Sequence, residues 1–208
     1  MLAIAVNLQA QGSKGLGSND PEAKKILDAV SAKFKTFKSV QAKFSLKIEN
    51  ASNKQIGLKT GNVSMKGTKY RVSITGQEIF CDGNNVWTLD KASKEVTINK
   101  LDLSNNTITP TKLFTNFYDK DFLYKLNGEV KGVQEIELTP IDKSKPFFKV
   151  LVYVNKATQT ISSTKVFENT GNRYTYTVSG MNTSGSVADA TFLYDPKKYP
   201  GVDVVDLR

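Results

Sequence analysis

The chain of 208 residues carries a formal charge of +9, with 39% hydrophobic and 10% aromatic residues and no histidine. That length suits one domain with a sizeable core, and the lack of histidine removes the commonest general base and metal ligand. The excess charge is almost all lysine, since Arg71, Arg173 and Arg208 are the only arginines; a chain so poor in the side chain suited to bidentate phosphate and base-edge contacts is not expected to bind nucleic acid.

Leu2 to Val6 is apolar and runs into Asn7-Leu8-Gln9-Ala10-Gln11, which reads as the end of a secretory signal peptide without its basic start. Residues 1–19 are therefore expected to be a signal-peptide remnant and flexible leader, and 20–208 a single domain. No other apolar run approaches the length of about 18 residues that a membrane-spanning helix needs. Asp20-Pro21-Glu22 opens a helix, with Asp20 as cap, Pro21 at the first helical position and Glu22 at the positive dipole end. Ile26, Leu27, Val30, Phe34 and Phe37 form its apolar stripe, and lysines occupy the rest. From Val40 the period changes to two, placing Val40, Ala42, Phe44, Leu46 and Ile48 on one face of a strand. A second strand, Ile56 to Met65, is interrupted by Gly57 and Gly61, where a bulge or sharp bend is expected.

The stretch from Gly61 to Lys100 then reads as a meander, with strands over Tyr70–Ile74, Glu78–Cys81, Val86–Leu89 and Glu95–Ile98 and a hairpin turn at Asp82-Gly83-Asn84-Asn85. Lys43, Lys47, Lys59, Lys66, Lys94 and Lys100 alternate with apolar residues as a solvated sheet face. Pro110-Thr111 opens a short amphipathic helix carrying Leu113, Phe114, Phe117 and Tyr118. Five more strands follow, over Phe122–Leu126, Val133–Leu138, Phe147–Val154, Ile161–Phe167 and Arg173–Val178, and Phe192-Leu193-Tyr194 adds a last short one. About eleven strands and two helices without βαβ alternation predict an α+β fold, and so many strands predict a sheet that curls.

Catalytic patterns are missing. No nucleophile–histidine pair is possible, and neither a phosphate-binding loop nor a dinucleotide fingerprint is present. Cys81 is either a small, partly buried strand residue or a reactive thiol beside Asp82, and the first reading fits its place near a strand end. The carboxylate pairs Asp119/Asp121 and Glu135/Glu137 match no defined ligand loop, and solvated alternation accounts for the second pair equally well. The expectation is a protein that is not an enzyme and needs no cofactor or metal.

Large apolar groups outnumber polar functional groups on the sheet faces and helices. They read either as a filled core or as the lining of a cavity left by a curled sheet, because both demand the same residues. DPEAKKILDAVSAKFKTFKSVQAKF from Asp20 to Phe44, the KYRV…GQEIFCDGNNVWTLDKASKEVTI core and the ending DPKKYPGVDVVDLR together resemble the LolA family of periplasmic lipoprotein carriers. The most specific part is the hairpin from Asp82 to Leu89, with Trp87 at its centre.

The resemblance implies a strongly curved, incomplete antiparallel β-barrel with helices covering its open side. It also implies an apolar cavity for the acyl chains of lipoproteins, which are taken from an inner-membrane lipoprotein-releasing transporter and delivered to an outer-membrane acceptor or the outer membrane itself. Periplasmic location and a monomer go with it. The expected lipid-binding lining is Phe34, Phe37, Phe44, Leu46, Val63, Met65, Tyr70, Trp87, Leu89, Phe114 and Phe117, with packing of Trp87 under the helix as the alternative for that side chain. One departure stands out: Gly67 follows Lys66 where the family's studied carriers have an arginine that holds the lid closed, and Arg71, in the next strand, is not given that role. A lipoprotein-sensing or protein-interaction module of the same fold is the alternative reading.

Overall fold

A computed structural model describes residues 19–102, 109–111 and 118–208. The period-two segments form β1 (Val40–Glu49), β2 (Gln55–Lys66), β3 (Lys69–Ile74), β4 (Gln77–Cys81), β5 (Asn85–Asp90), β6 (Glu95–Lys100), β7 (Phe122–Val130), β8 (Val133–Pro140), β9 (Phe147–Asn155), β10 (Thr160–Glu168), β11 (Arg173–Asn182) and β12 (Asp203–Asp206). All twelve belong to one sheet in the order β12-β6-β5-β4-β3-β2-β1-β11-β10-β9-β8-β7. The end strands β12 and β7 do not pair with each other, so the curved sheet stays an incomplete barrel.

The eleven expected strands are β1 to β11, joined antiparallel throughout. The expected strand at Phe192-Leu193-Tyr194 is not formed. Asp189–Phe192 is instead a 3-10 turn that drives Phe192 fully into the core, and the last strand is β12, paired in parallel with β6. Of the second helix, Pro110 and Thr111 lie in a turn and Tyr118–Asp121 forms the short α2, while Leu113, Phe114 and Phe117 lie outside the described residues. The leader expected at residues 1–19 likewise lies outside them, apart from Asn19.

Helix α1 (Pro21–Lys35) starts as its sequence dictates, with the Asp20 carboxylate accepting from the Glu22 N–H at 2.9 Å and Pro21 at the first position. Asp20 also joins the helix to the edge of the sheet: its N–H donates to the Tyr124 carbonyl at 3.0 Å, and its Oδ2 accepts from the Leu126 N–H at 3.1 Å. Asn19 Oδ1 accepts from the Tyr124 N–H at 3.2 Å, so backbone groups of the edge strand that would otherwise need water have partners. Ala23, Leu27 and Val30 are buried, and they pack in one cluster with Tyr124, Ile136, Leu138, Val150, Val152 and Val154 from β7, β8 and β9.

Register assigns every strand residue to a face. Val40, Ala42, Phe44, Leu46 and Ile48 share the inner face with their partners Met65, Val63, Gly61, Lys59 and Gly57 on β2, and then with Tyr70, Val72 and Ile74 on β3. One register shift falls beside Gly57, where Ile48 and Glu49 on β1 pair with Gly57 and Gln55 and leave Ile56 without a partner, so the expected bulge is found at Gly57; from Gly57 to Met65, across Gly61, the register is continuous. Sequence parity does change there. As a result Leu58, opposite Lys47, points outward; it and Ile56 at the bulge are 60% and 58% exposed, and Lys59, expected on the solvated face, stands on the inner face beside Leu46, itself exposed.

Candidate functional site

Burial falls off along the inner face. At the β1 start Val40 and Ala42 are 2% and 6% exposed, whereas Phe44, Leu46 and Ile48 farther along are only half-buried. The same grading appears on the neighbours: Met65 and Tyr70 are buried, and Val63, Val72 and Ile74 are half-buried. On the other side of β1, register brings Val178, Tyr176 and Tyr174 opposite Phe44, Leu46 and Ile48, and Val166 opposite Tyr174. The result is an apolar trough across β3, β2, β1, β11 and β10, open toward the end of the sheet where Ile48 and Tyr174 lie. Burial pushes the Tyr176 phenol above its ordinary pKa, so this ring stays neutral in the trough.

Gly61 is required at the centre of that trough. A Cβ there would meet the Phe44 ring at 2.7 Å and the Ser73 carbonyl oxygen closer still, so the Phe44 ring lies flat over the β2 backbone only because the side chain opposite is missing.

Among the residues expected to line a lipid site, Phe44, Leu46, Val63, Met65 and Tyr70 share this face, and the last two form its closed end. Phe34 and Phe37, at and beyond the α1 C-terminus, meet edge to face at 6.1 Å and pack against the same core cluster. Phe114 and Phe117 lie outside the described residues. Trp87 and Leu89 do not belong to the group. Tyr70 pairs with Cys81 and Cys81 with Val86, so Val86 is the inner residue of β5, while Trp87 and Leu89 face outward with Phe80, away from α1. The alternation missed this because β4 and β5 are apolar on both faces. Ile48, Val72, Ile74, Val166, Tyr174 and Tyr176 were not assigned to the lining, although the same two-residue period carried the signal for the first four.

The outer face is apolar for a different reason: the chain covers it. Phe80, Leu89 and Val96 are 2%, 1% and 0% exposed, as are Val187 at 5% and Phe192 at 0% from the C-terminal segment. Tyr194 and Tyr199 stack on each other at 5.3 Å and meet the Phe80 ring edge-on at 6.0 and 6.1 Å. Glu78 anchors this strap. It receives the Arg71 guanidinium at 2.6 Å and the Lys91 ammonium at 2.7 Å, and the Tyr199 hydroxyl donates to it at 3.1 Å. Burial would raise the Glu78 pKa, but Lys91 and Arg71 outweigh it and hold the carboxyl below its ordinary value. Arg71 therefore works on the outer face, with its guanidinium also 4.8 Å from the Phe80 ring centre. Gly67 sits in the β2–β3 turn at φ +59°, with open space where a Cβ would be.

The remaining reactive groups have structural partners. Cys81 is fully buried, and desolvation pushes its thiol above the ordinary range. Asp82 accepts from the Asn84 and Asn85 N–H groups at 2.8 and 2.7 Å and holds the hairpin turn. Asn127 bridges Glu135 and Glu137 at 2.8 and 3.4 Å on the outer face. Among the described residues no group of three or more acidic or cysteine side chains is placed to hold a metal ion.

A single curved, almost wholly antiparallel sheet, one long helix against its concave face and a partly covered apolar trough define an incomplete half-barrel. The family model described as "Outer membrane lipoprotein carrier protein LolA" matches residues 35–195. The chain belongs to the LolA family. An "Outer-membrane lipoprotein carrier protein" of Ralstonia nicotianae is 28% identical over 130 residues, 62% of this chain and 59% of that relative, so the match spans less than two thirds of its length. Among solved structures, an uncharacterised conserved protein of Thermus thermophilus superposes with a TM-score of 0.60 at 16% identity, covering 89% of this chain and 99% of the other. The lipoprotein LppX of Mycobacterium tuberculosis superposes with a TM-score of 0.50 at 13% identity, covering 82% and 100%. At these identities the two structures share the fold.

Proposed function

We propose that the chain is a periplasmic carrier that binds the acyl chains of lipoproteins in the inner-face trough and ferries them from the inner to the outer membrane. The observation that supports this is the grading of burial along β1: the same alternation that fills a core at Val40 leaves Phe44, Leu46 and Ile48 half-covered. Half-buried aliphatic and aromatic groups on a concave face gain by covering themselves with an acyl chain, at about 0.8 kcal/mol per CH₂ buried. An open trough also lets the cargo leave, which a carrier needs. An inner-membrane releasing transporter as donor and an outer-membrane acceptor, or the outer membrane itself, complete the proposal. Family membership supports a binding role without catalysis, and Phe34 and Phe37 at the α1 end are proposed to close over the cargo.

Native mass spectrometry of the protein mixed with a triacylated lipoprotein and with its unacylated form tests this. Complex formation with the acylated form alone, lost in Leu46→Asp, is the expected result. Equal binding of both forms would overturn the acyl-chain reading in favour of protein recognition.

A further inference from the structure

The outer face has its own open end, where the strap does not reach. Leu58, turned outward opposite Lys47, and Ile56, at the register shift beside Gly57, are 60% and 58% exposed, and Phe148 on β9 is 52% exposed. Cations stand between them. Leu58 pairs across β1 with Lys47, Lys47 with Thr175 and Thr175 with Lys165; in the next row Glu49 pairs with Arg173 and Arg173 with Phe167. Phe148 lies against Phe167 at 6.1 Å, and three cations surround the Phe167 ring: Lys149 Nζ at 4.5 Å, Lys165 Nζ at 5.5 Å and the Arg173 guanidinium at 5.6 Å from its centre. Glu49 is taken by Lys47 at 3.0 Å and Lys165 at 3.1 Å, which leaves Lys149 and Arg173 beside the aromatic pair.

We propose that this rim, Ile56, Leu58 and Phe148 set among Lys149, Lys165 and Arg173, docks the protein on anionic phospholipid bilayers. Exposed apolar side chains enter the headgroup–acyl boundary, and basic side chains at the same end of the sheet add attraction to anionic headgroups. An acidic protein partner would meet the cations but would have no use for two aliphatic side chains and an aromatic ring standing clear of the surface. The rim also lies at the end of the sheet where Ile48, Tyr174 and Val166 open the inner trough, so a docked molecule presents its mouth to the membrane. Docking goes beyond the carrier reading and is measured without any lipoprotein.

Co-sedimentation with vesicles of phosphatidylcholine, with and without phosphatidylglycerol, tests it on the full chain. Binding is expected only when phosphatidylglycerol is present, and it should weaken as salt is raised. The double variant Lys149→Gln/Arg173→Gln should lower partitioning by about tenfold or more. Leu58→Ser and Phe148→Ser, both at exposed positions, should lower it severalfold with thermal unfolding unchanged. Lys94→Gln/Lys100→Gln, the same charge change at the far edge of the sheet, should leave it within about twofold. Equal binding to neutral vesicles, equal loss in the two double variants, or no binding to anionic vesicles at low salt would each overturn the proposal, whatever the outcome with acylated lipoprotein.

Discussion

Strands β4 and β5 are apolar on both faces, and the two faces meet different fates. Outward, Phe80 and Leu89 are 2% and 1% exposed, and Tyr194 and Tyr199 of the C-terminal segment lie against Phe80. Inward, Ile79 and Val86 on the same strands remain half-buried at the margin of the main core. Equal hydrophobicity thus gives a sealed layer on one side and a partly covered one on the other. Among the described residues, the difference is the strap laid over the outer face.

Perturbing the two faces should separate stability from binding. Phe192→Ala empties a fully buried site under the strap and should cost about 3–5 kcal/mol in urea unfolding, without a specific loss of acyl-chain binding in the folded fraction. Gly61→Ala should cost about 1–3 kcal/mol and displace the Phe44 ring, so it is expected to weaken both stability and binding. Binding unchanged in that variant would remove Phe44 from the trough.

Glu78→Gln loosens the strap from Arg71, Lys91 and Tyr199 and should cost about 1–2 kcal/mol at neutral pH. The Glu78 carboxyl is held below its ordinary pKa, so its stabilisation is present above the ordinary glutamate range and is lost as pH falls through the depressed value. The gap in urea midpoint between wild type and Glu78→Gln should therefore close in acid; a gap that stays constant would remove Glu78 as the titrating anchor. Leu46→Ala, by contrast, should cost only about 1 kcal/mol because the side chain is half-exposed, yet it should measurably weaken binding of an acylated lipoprotein. Smallest of all, Cys81 should resist alkylation in the native protein and react on denaturation.

Much of this was legible in the sequence. Alternation located all eleven antiparallel strands, and Asp20-Pro21-Glu22 located the start of α1. Facing was legible only where one face is polar: along β1, lysines and polar residues between apolar ones assign Phe44 and Leu46 correctly. On β4 and β5 that contrast vanishes, since Ile79-Phe80-Cys81 and Val86-Trp87 are apolar throughout, and only the pairing of Cys81 with Val86 shows that Trp87 and Leu89 turn outward. The strap was misread for a related reason. Phe192-Leu193-Tyr194 has strand composition, but Phe192 is buried from a 3-10 turn and Tyr194 lies against Phe80, and the backbone that pairs is Asp203–Asp206. In β2 both glycines suggest a bulge; one is found beside Gly57, whereas at Gly61 the register runs on and its smallness makes room for the Phe44 ring.

Helix α1 is fastened at both ends. Its first turn is hydrogen-bonded to the outermost strand β7 through Asp20 and Asn19, and its last turn leads within a few residues into β1, at the middle of the sheet. At 1.5 Å per residue its 15 residues make a strut of about 22 Å. The helix therefore acts as the string of a bow: its length sets how far half the sheet can flatten. Any widening of the trough is therefore expected on the unstrung side, at β2 to β6, rather than at β7 to β11.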